Sequence, residues 1–295
     1  MRAAKQMGMA ALSAAVLAWP AAVRADAIDD YVQAQMALNH IPGLAVAVVR
    51  DGKIEKLRGY GYANLEWQQP VTPDSAFQLA SSTKPLTGLL LMRLAGLGKL
   101  DLDAPVKRYL PDAPASWDDV TVRHLADHTS GIPDNVAIDG NASVAQYVAA
   151  AAKLPLAHAP GAKGQYGIAG YIVLRAIIEQ AAGKSYMDAL NEHVIAPLNL
   201  RATAFDFATS GDMRTARVIP QRASVYQWTG DSYQNFSFHY GQRAYPAGGI
   251  YSSATDLARL GLALDTDAYL SKAARDSMWK ARTLANGEAN GFGLG

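Results

Sequence analysis

Phe77-Gln-Leu-Ala-Ser81-Ser-Thr-Lys84-Pro-Leu-Thr-Gly-Leu-Leu-Leu-Met92 is the stretch from which the rest of the chain is read. An apolar approach ends at a small polar patch, and a long apolar helix follows. Ser81 and Lys84 stand three apart, which on a helix puts both side chains on one face, one turn apart. An amine held against a hydroxyl can take its proton, provided burial keeps part of the amine neutral. Pro85 fits a helix only in its first turn, which places the serine at the helix start. There, free backbone N–H groups and the positive end of the dipole face whatever the serine attacks. The segment reads as an activated nucleophile with half an oxyanion hole attached.

The spacing S-x-x-K is weak by itself, being expected roughly once by chance in a chain of this size. It occurs a second time, as Ser277-Met-Trp-Lys280, beside Arg275 and Asp276. That copy reads as a solvated helix face. Only the Ser81 copy opens a helix apolar enough to be buried, with Leu86, Leu89, Leu90, Leu91 and Leu94.

Outward from this helix, Gly43-Leu-Ala-Val-Ala-Val-Val49 and Ile54-Glu-Lys-Leu-Arg-Gly59 flank Arg50-Asp51-Gly52-Lys53. Asp-Gly between β-prone runs is a strong hairpin signal, and the apolar first strand should be covered on both faces. Thr121 begins a helix ending in His128-Thr-Ser-Gly-Ile-Pro133, with Gly131 and Pro133 as stop signals. Asn141–Lys153 and Gly170–Ala182 read as helices, and Ser185-x-x-Asp188 and Ser253-x-x-Asp256 cap two more. The aromatic stretch Val218–His239 should contain a turn at Thr229-Gly-Asp231. The aromatics between Tyr226 and Tyr245 either line a pocket for an apolar group or simply pack. A two-stranded sheet is not stable alone, so either helices carry the fold or the chain stops before its sheet is complete.

The chain has 295 residues, half of them apolar, and a formal net charge of +1. It can bury a sizeable core, and with no basic run it is a poor nucleic-acid partner. The absence of cysteine excludes disulfides, thiolate metal sites, a cysteine nucleophile and a lipidated N-terminal cysteine. Arg2 and Lys5, the alanine-rich apolar run Met7–Ala22 and the small residues of Val23-Arg-Ala25 make residues 1–25 a signal peptide, cleaved near Ala25 or Ala27. A periplasmic or secreted protein with no stable membrane span after cleavage is expected.

Six segments together resemble the serine β-lactamase and penicillin-binding-protein superfamily, on its class C β-lactamase and family VIII carboxylesterase-like branch. They are Ile41-Pro-Gly-Leu-Ala-Val-Ala-Val, Phe77–Lys84, His128-Thr-Ser-Gly-Ile-Pro133, Pro160-Gly-Ala-Lys-Gly-Gln-Tyr166, Ala247-Gly-Gly249 and Phe292-Gly-Leu-Gly295, in the family's order. The resemblance implies an α/β (α+β type) fold: an antiparallel sheet flanked by helices, with an inserted mainly helical region. On this reading 26–97 and 240–295 form the α/β region and 98–239 the helical one. It also implies acyl transfer through an acyl-serine, with Ser81 as nucleophile, Lys84 as its proton-handling partner and Tyr166 at the tyrosine of Tyr-x-Asn. A tyrosinate beside an ammonium is a competent base. Ile168, Gly248 and Gly249 fall at substrate-binding positions. The substrate implied is a small-molecule ester, a β-lactam or a peptidoglycan-like D-amino-acid amide. No cofactor is implied.

Two departures qualify this. The family's asparagine is Ile168 here, which can neither donate nor accept a side-chain hydrogen bond and suits an ester substrate, or a weakened enzyme, better than an amide hydrolase. The family's third motif, Lys-Thr-Gly or His-x-Gly, follows the Phe-Gly-Leu-Gly segment, where this chain ends. A C-terminally truncated chain, with an incomplete sheet and impaired catalysis, is therefore expected. Trp228-Thr-Gly230 mimics the motif out of order and reads as a hairpin turn. His124 and His128 have metal-ligand spacing but no intervening Glu, and read as structural. No G-x-S-x-G elbow occurs. The rival reading is a non-catalytic relative that binds peptidoglycan peptides or a partner protein.

Overall fold

The computed structural model describes residues 27–206 and 217–295; the expected signal peptide lies outside the described residues. Helix α1 (Ala27–Leu38) leads into the antiparallel pair β1 (Gly43–Arg50) and β2 (Lys53–Asn64). Asp51 and Gly52 both have positive φ, as a two-residue hairpin turn demands, and Val46 faces Arg58 across the ladder. Asp29 of α1 is buried and ion-paired with Lys56 and Arg58, so the helix is fastened to β2. The short β3 (Gln69–Pro70) extends this sheet beyond β2, and β1 forms the other edge among the described residues.

β4 (Phe77–Gln78) delivers the chain to a tight 3₁₀ turn, Ala80–Thr83, which runs directly into α2 (Lys84–Gly96). Leu86, Leu89, Leu90, Leu91 and Leu94 of α2 are all buried. A helix apolar on every side belongs in the middle of a protein. Each such leucine contributes about 1.5–3 kcal/mol on burial. Around α2 pack α5 (Ala169–Ala182), α6 (Tyr186–Leu190) and α8 (Lys272–Trp279), while α3 (Val122–Ala126) and α4 (Val144–Ala151) lie on α5. Ser143 caps α4 reciprocally with Gln146, and Gly183 closes α5 in the left-handed conformation.

The second sheet has β8 (Ile250–Ser252) between β4 and β5 (Ala204–Phe205), and β6 (Tyr226–Trp228) and β7 (Tyr233–Asn235) form a hairpin. Its turn holds Thr229-Gly230, so Trp228-Thr-Gly230 is the expected hairpin and not a catalytic motif. α7 (Ala254–Leu264) covers β1. The last segment crosses α2 at Gly88, where a Cβ would lie 1.9 Å from the Leu294 carbonyl oxygen. Only glycine allows that crossing, which sets the Phe292–Gly295 segment beside the start of α2.

Two expectations change. The helix from Thr121 stops at Ala126, and His128 lies beyond it with φ 61°, so His124 and His128 do not share a helix face. Arg275 is buried, its guanidinium bonded to the Leu270 carbonyl and paired with Asp267. The face of α8 carrying it is an anchor, not solvated.

Candidate active site

In a 3₁₀ turn residues three apart eclipse, and this brings Ser81 over Lys84. Lys84 is 3 % exposed, whereas Ser81 is exposed. The ammonium has three donors, and three acceptors meet it: Ser81 Oγ at 3.1 Å, Tyr166 Oη at 2.7 Å and the Ala247 carbonyl at 3.0 Å. Lys84 Nζ also lies 4.8 Å from the Tyr166 ring centroid. The ammonium is thus held by its full hydrogen-bonding capacity between the nucleophile and a phenol.

Tyr166 is placed by two loops. The Gln165 N–H donates to the His128 carbonyl (2.8 Å), the Gly161 N–H to Thr129 (2.8 Å) and the Ala157 N–H to Gly131 (2.7 Å). His128 Nδ1 accepts from the Gly167 N–H at 3.3 Å. The rings of Phe292 and Tyr171 flank His128 at 4.9 and 5.2 Å. The Asp134 carboxylate accepts from the Ile168 and Ala169 N–H groups, satisfying the first turn of α5. Tyr166 is therefore fixed from both sides while half of its surface remains open.

Burial raises the Tyr166 phenol, but hydrogen bonds with Lys84 and Ser81 and the charge of Lys84 outweigh it and bring the pKa below the ordinary tyrosine value. Burial, assisted by the Lys84 charge, pushes His128 down to about 4. His128 is then neutral near pH 7, consistent with an Nδ1 that accepts. Such a site can remove a proton from Ser81 Oγ and return it to a leaving group. Among the described residues no backbone carbonyl accepts from the Ser81 N–H, while the Ser82 N–H is taken by Leu79. One oxyanion donor is therefore available at the start of the helix.

Ile168 is partly exposed at the N-terminus of α5. Gly248 and Gly249 are buried, and tyrosine rings occupy the space their side chains would take: Tyr240 at 2.3 Å from the Cβ position of Gly248 and Tyr245 at 2.6 Å from that of Gly249. Of the aromatics expected between Tyr226 and Tyr245, Trp228 stacks on His40 and contacts Tyr233 edge-on, whereas Phe236 and Phe238 line a cavity of about 340 Å³ beside Gln78. Packing and pocket are both realised. Ser277 and Lys280 lie at the end of α8, with Lys280 exposed beyond the helix.

Asp134 escaped the sequence reading, and Tyr240 entered it only as one of the aromatics between Tyr226 and Tyr245. Asp134 acts on a helix 34 residues away, and no periodicity marks such a cap. Tyr240 belongs to an irregular segment whose only signal is its aromatic content.

Residues 28–295 match the family described as Beta-lactamase, and the chain belongs to that family. It is 28 % identical over 187 residues to protein Flp of Staphylococcus aureus strain MW2, covering 60 % of this chain and 38 % of Flp. It is 34 % identical over 205 residues to esterase EstB of Burkholderia gladioli, covering 62 % of this chain and 51 % of EstB. The octameric penicillin-binding-protein homologue of Pyrococcus abyssi superposes with a TM-score of 0.74 at 27 % identity, over 90 % of this chain and 63 % of that one. The chain thus spans about half or less of these two curated relatives. The fold is β-lactamase/transpeptidase-like.

Proposed function

We propose that this chain carries the nucleophile, the proton-transfer pair and one oxyanion donor of an exported serine hydrolase that acts on small esters through acyl-Ser81. The single observation that carries this reading is the Lys84 ammonium bonded at once to Ser81 Oγ and Tyr166 Oη. Tyr166, as phenolate, takes the Ser81 proton while Oγ attacks the ester carbonyl. The Ser81 N–H stabilises the oxyanion. Collapse breaks the ester C–O bond, and the alcohol leaves with the proton returned from Tyr166. Water then attacks the acyl-enzyme with the same phenol as base, releasing the acid and free Ser81.

Ester selectivity rests on Ile168. A β-lactam or peptide amide needs its polar groups held while a poor nitrogen leaving group is protonated, and an apolar side chain here supplies no partner. The similarity to EstB points the same way. The leader-like residues 1–25 support periplasmic or secreted location.

Mass spectrometry after treatment with a fluorophosphonate should place one adduct on Ser81; an adduct on Ser277 would sink the assignment. Short-chain p-nitrophenyl esters should be cleaved well and cephalosporins poorly. Ile168→Asn should raise the cephalosporin-to-ester ratio about 2- to 10-fold, the worth of one added hydrogen bond. A wild type that cleaves both equally fast would refute the substrate assignment while leaving Ser81 intact. Labelling nowhere, with no turnover in the native protein, would favour the non-catalytic binder.

A further inference from the structure

A strap formed by residues 282–292 ties together the two loops that place Tyr166. Asp127, directly before His128, is 2 % exposed. Its carboxylate accepts from Thr129 Oγ1 at 2.5 Å and from Arg282 Nε at 2.8 Å, and its backbone carbonyl accepts from Asn290 Nδ2 at 2.7 Å. Asn290 is itself buried, and its Oδ1 fills the space beside Gly164, where a Cβ would lie 2.2 Å away. Gly164 stands two residues before Tyr166. Between these ends the Ala285 N–H donates to the Gly161 carbonyl at 3.2 Å. Beyond Asn290 the Phe292 ring meets His128 at 4.9 Å and Tyr166 at 5.9 Å. One segment therefore grips both loops.

We propose that Arg282 and Asn290 are positioning residues for Tyr166: they clamp Asp127, and through the loop that follows it they keep the phenol within hydrogen-bond reach of Lys84. The path is short. The carbonyls of His128, Thr129 and Gly131 accept from the N–H groups of Gln165, Gly161 and Ala157, so a movement of Asp127 passes along this strip to the residue beside Tyr166. A buried carboxylate tolerates its charge only while it is paired and hydrogen-bonded. Without Arg282 it keeps only the Thr129 hydroxyl among the described residues and is drawn toward water, taking His128 with it. Without the Asn290 amide, the Asp127 carbonyl loses that donor and Gly164 its neighbour. Either change frees the Tyr166 phenol, whose 2.7 Å bond to Lys84 leaves little room for drift. The contacts of Lys84 with Ser81 and the Ala247 carbonyl lie on other segments and are left in place. The strap therefore acts on the base and not on the nucleophile. The titratable groups facing Tyr166 are Lys84, His128, Asp134, Tyr171 and Tyr240. Those around Asp127 and Arg282 are Asp103, Arg123 and His124.

The role rests on the acyl-Ser81 reading, and separate readouts keep the two apart. In the native protein, fluorophosphonate labelling of Ser81 is followed by p-nitrophenyl ester kinetics across pH. The variants are Arg282→Ala, Arg282→Lys, Asn290→Ser and the Arg282→Ala/Asn290→Ser pair, each checked for folding by urea unfolding. Arg282→Ala and Asn290→Ser should each lower kcat about 10- to 100-fold, the cost of a small misplacement made away from the chemistry, with KM unchanged within about twofold. The acidic limb of the pH–rate profile, set by Tyr166, should move to higher pH by about half a unit to one unit, because a phenol that leaves an ammonium returns toward its ordinary pKa. Arg282 meets Asp127 through Nε, so Arg282→Lys, which keeps a charged donor, should stay within about threefold of wild type with its limb in place. The double variant should be little slower than the worse single one. A limb that stays put in folded Arg282→Ala and Asn290→Ser would overturn the role while leaving acyl-Ser81 standing, since a general disturbance slows turnover without raising the pKa of one group. A loss in Arg282→Lys equal to that in Arg282→Ala would overturn it as well. Should Arg282→Ala not fold, Asn290→Ser decides by the same shift. Failure of Ser81 to label in the wild type would overturn the acyl-Ser81 reading and this role with it.

Discussion

The chain contains the same four-residue spacing twice, and its two surroundings make two different objects. At Ser81 the serine lies in a 3₁₀ turn before a buried helix, and the lysine beneath it donates to a hydroxyl, a phenol and a carbonyl. At Ser277 the serine sits within α8, and the lysine projects into solvent past the helix end. Spacing sets which side chains can meet; burial and distant partners decide whether they form a site. An exposed ammonium is satisfied by water and has no reason to bind a serine. A buried one must find partners in the protein, and those partners fix it in place.

The sharpest way to break this comparison is to remove each lysine in turn. Lys84→Ala should lower kcat by about 10³-fold or more, since it deletes the charge that holds the Tyr166 phenol below the ordinary tyrosine pKa as well as a hydrogen-bond partner of Ser81. Lys280→Ala should leave ester turnover within about twofold. Tyr166→Phe should match the Lys84→Ala loss, and the Lys84→Ala/Tyr166→Phe double variant should be little worse, because the two act as one proton-transfer unit. Steady-state ester kinetics on the native protein read all four. Equal effects of Lys84→Ala and Lys280→Ala would abolish the distinction between the copies.

A second contrast concerns charge. Next to Lys84 lies a buried histidine whose folded pKa, about 4, is well below its ordinary 6.5. The sign follows from proton binding. Between pH 6.5 and 4 the unfolded chain binds a proton at this position that the folded chain refuses, so folding stability falls as pH drops through that window. Above 6.5 the contribution is constant, and below about 4 it falls no further. The shift corresponds to stability on the order of 3 kcal/mol. His128→Asn should remove this dependence. Asparagine tolerates the left-handed backbone at this position and its carbonyl can accept from the Gly167 N–H. Urea unfolding at pH 7 and pH 4.5 should therefore show a larger stability loss for wild type than for His128→Asn. Lys280→Ala, at the other copy, should leave the wild-type loss unchanged.

How far the sequence carries can be stated residue by residue. The Ser81–Lys84 pair was legible because it is local: three residues and a helix start suffice. The Asp51-Gly52 turn and the caps at Ser185 and Ser253 were legible for the same reason. Tyr166, 82 residues from Lys84, was visible only through the resemblance, because nothing in its own neighbourhood predicts which ammonium it meets. Asp134 was not visible at all, and Tyr240 only as one aromatic among those between Tyr226 and Tyr245: each sits in a loop whose path is set by packing with distant segments. The overlong helix from Thr121 failed for a related reason. Its periodicity continues to His128, but the chain turns left-handed there to pair with the 157–167 loop. Arg275 was misjudged because a charged residue was taken for a surface one, while backbone carbonyls satisfy its guanidinium in the interior.

The smallest difference between the copies lies in the residue before each serine. Asp276 is an ordinary helical residue, whereas Ala80 has φ 47°, in the left-handed region. For an alanine that conformation costs about 1–2 kcal/mol, and such strain persists only where surrounding structure imposes it. Here β4 is held by β8 on one side and α2 is locked into the core on the other. The chain must therefore turn within one residue to leave the Ser81 N–H and Oγ on the same exposed corner. Ala80→Gly should relieve the strain but widen the unfolded ensemble, an opposing entropy of about 0.4–1 kcal/mol. The net effect should be a stabilisation between zero and about 1 kcal/mol, read as a higher urea midpoint at unchanged slope. Acylation should slow by only about two- to threefold, because glycine still permits the turn without enforcing it. The corresponding Asp276→Gly, in the interior of α8, should destabilise by about 0.5–1 kcal/mol and leave acylation untouched. Destabilisation by Ala80→Gly as large as that by Asp276→Gly would show that the bend before Ser81 carries no strain. The two copies would then differ in their partners alone.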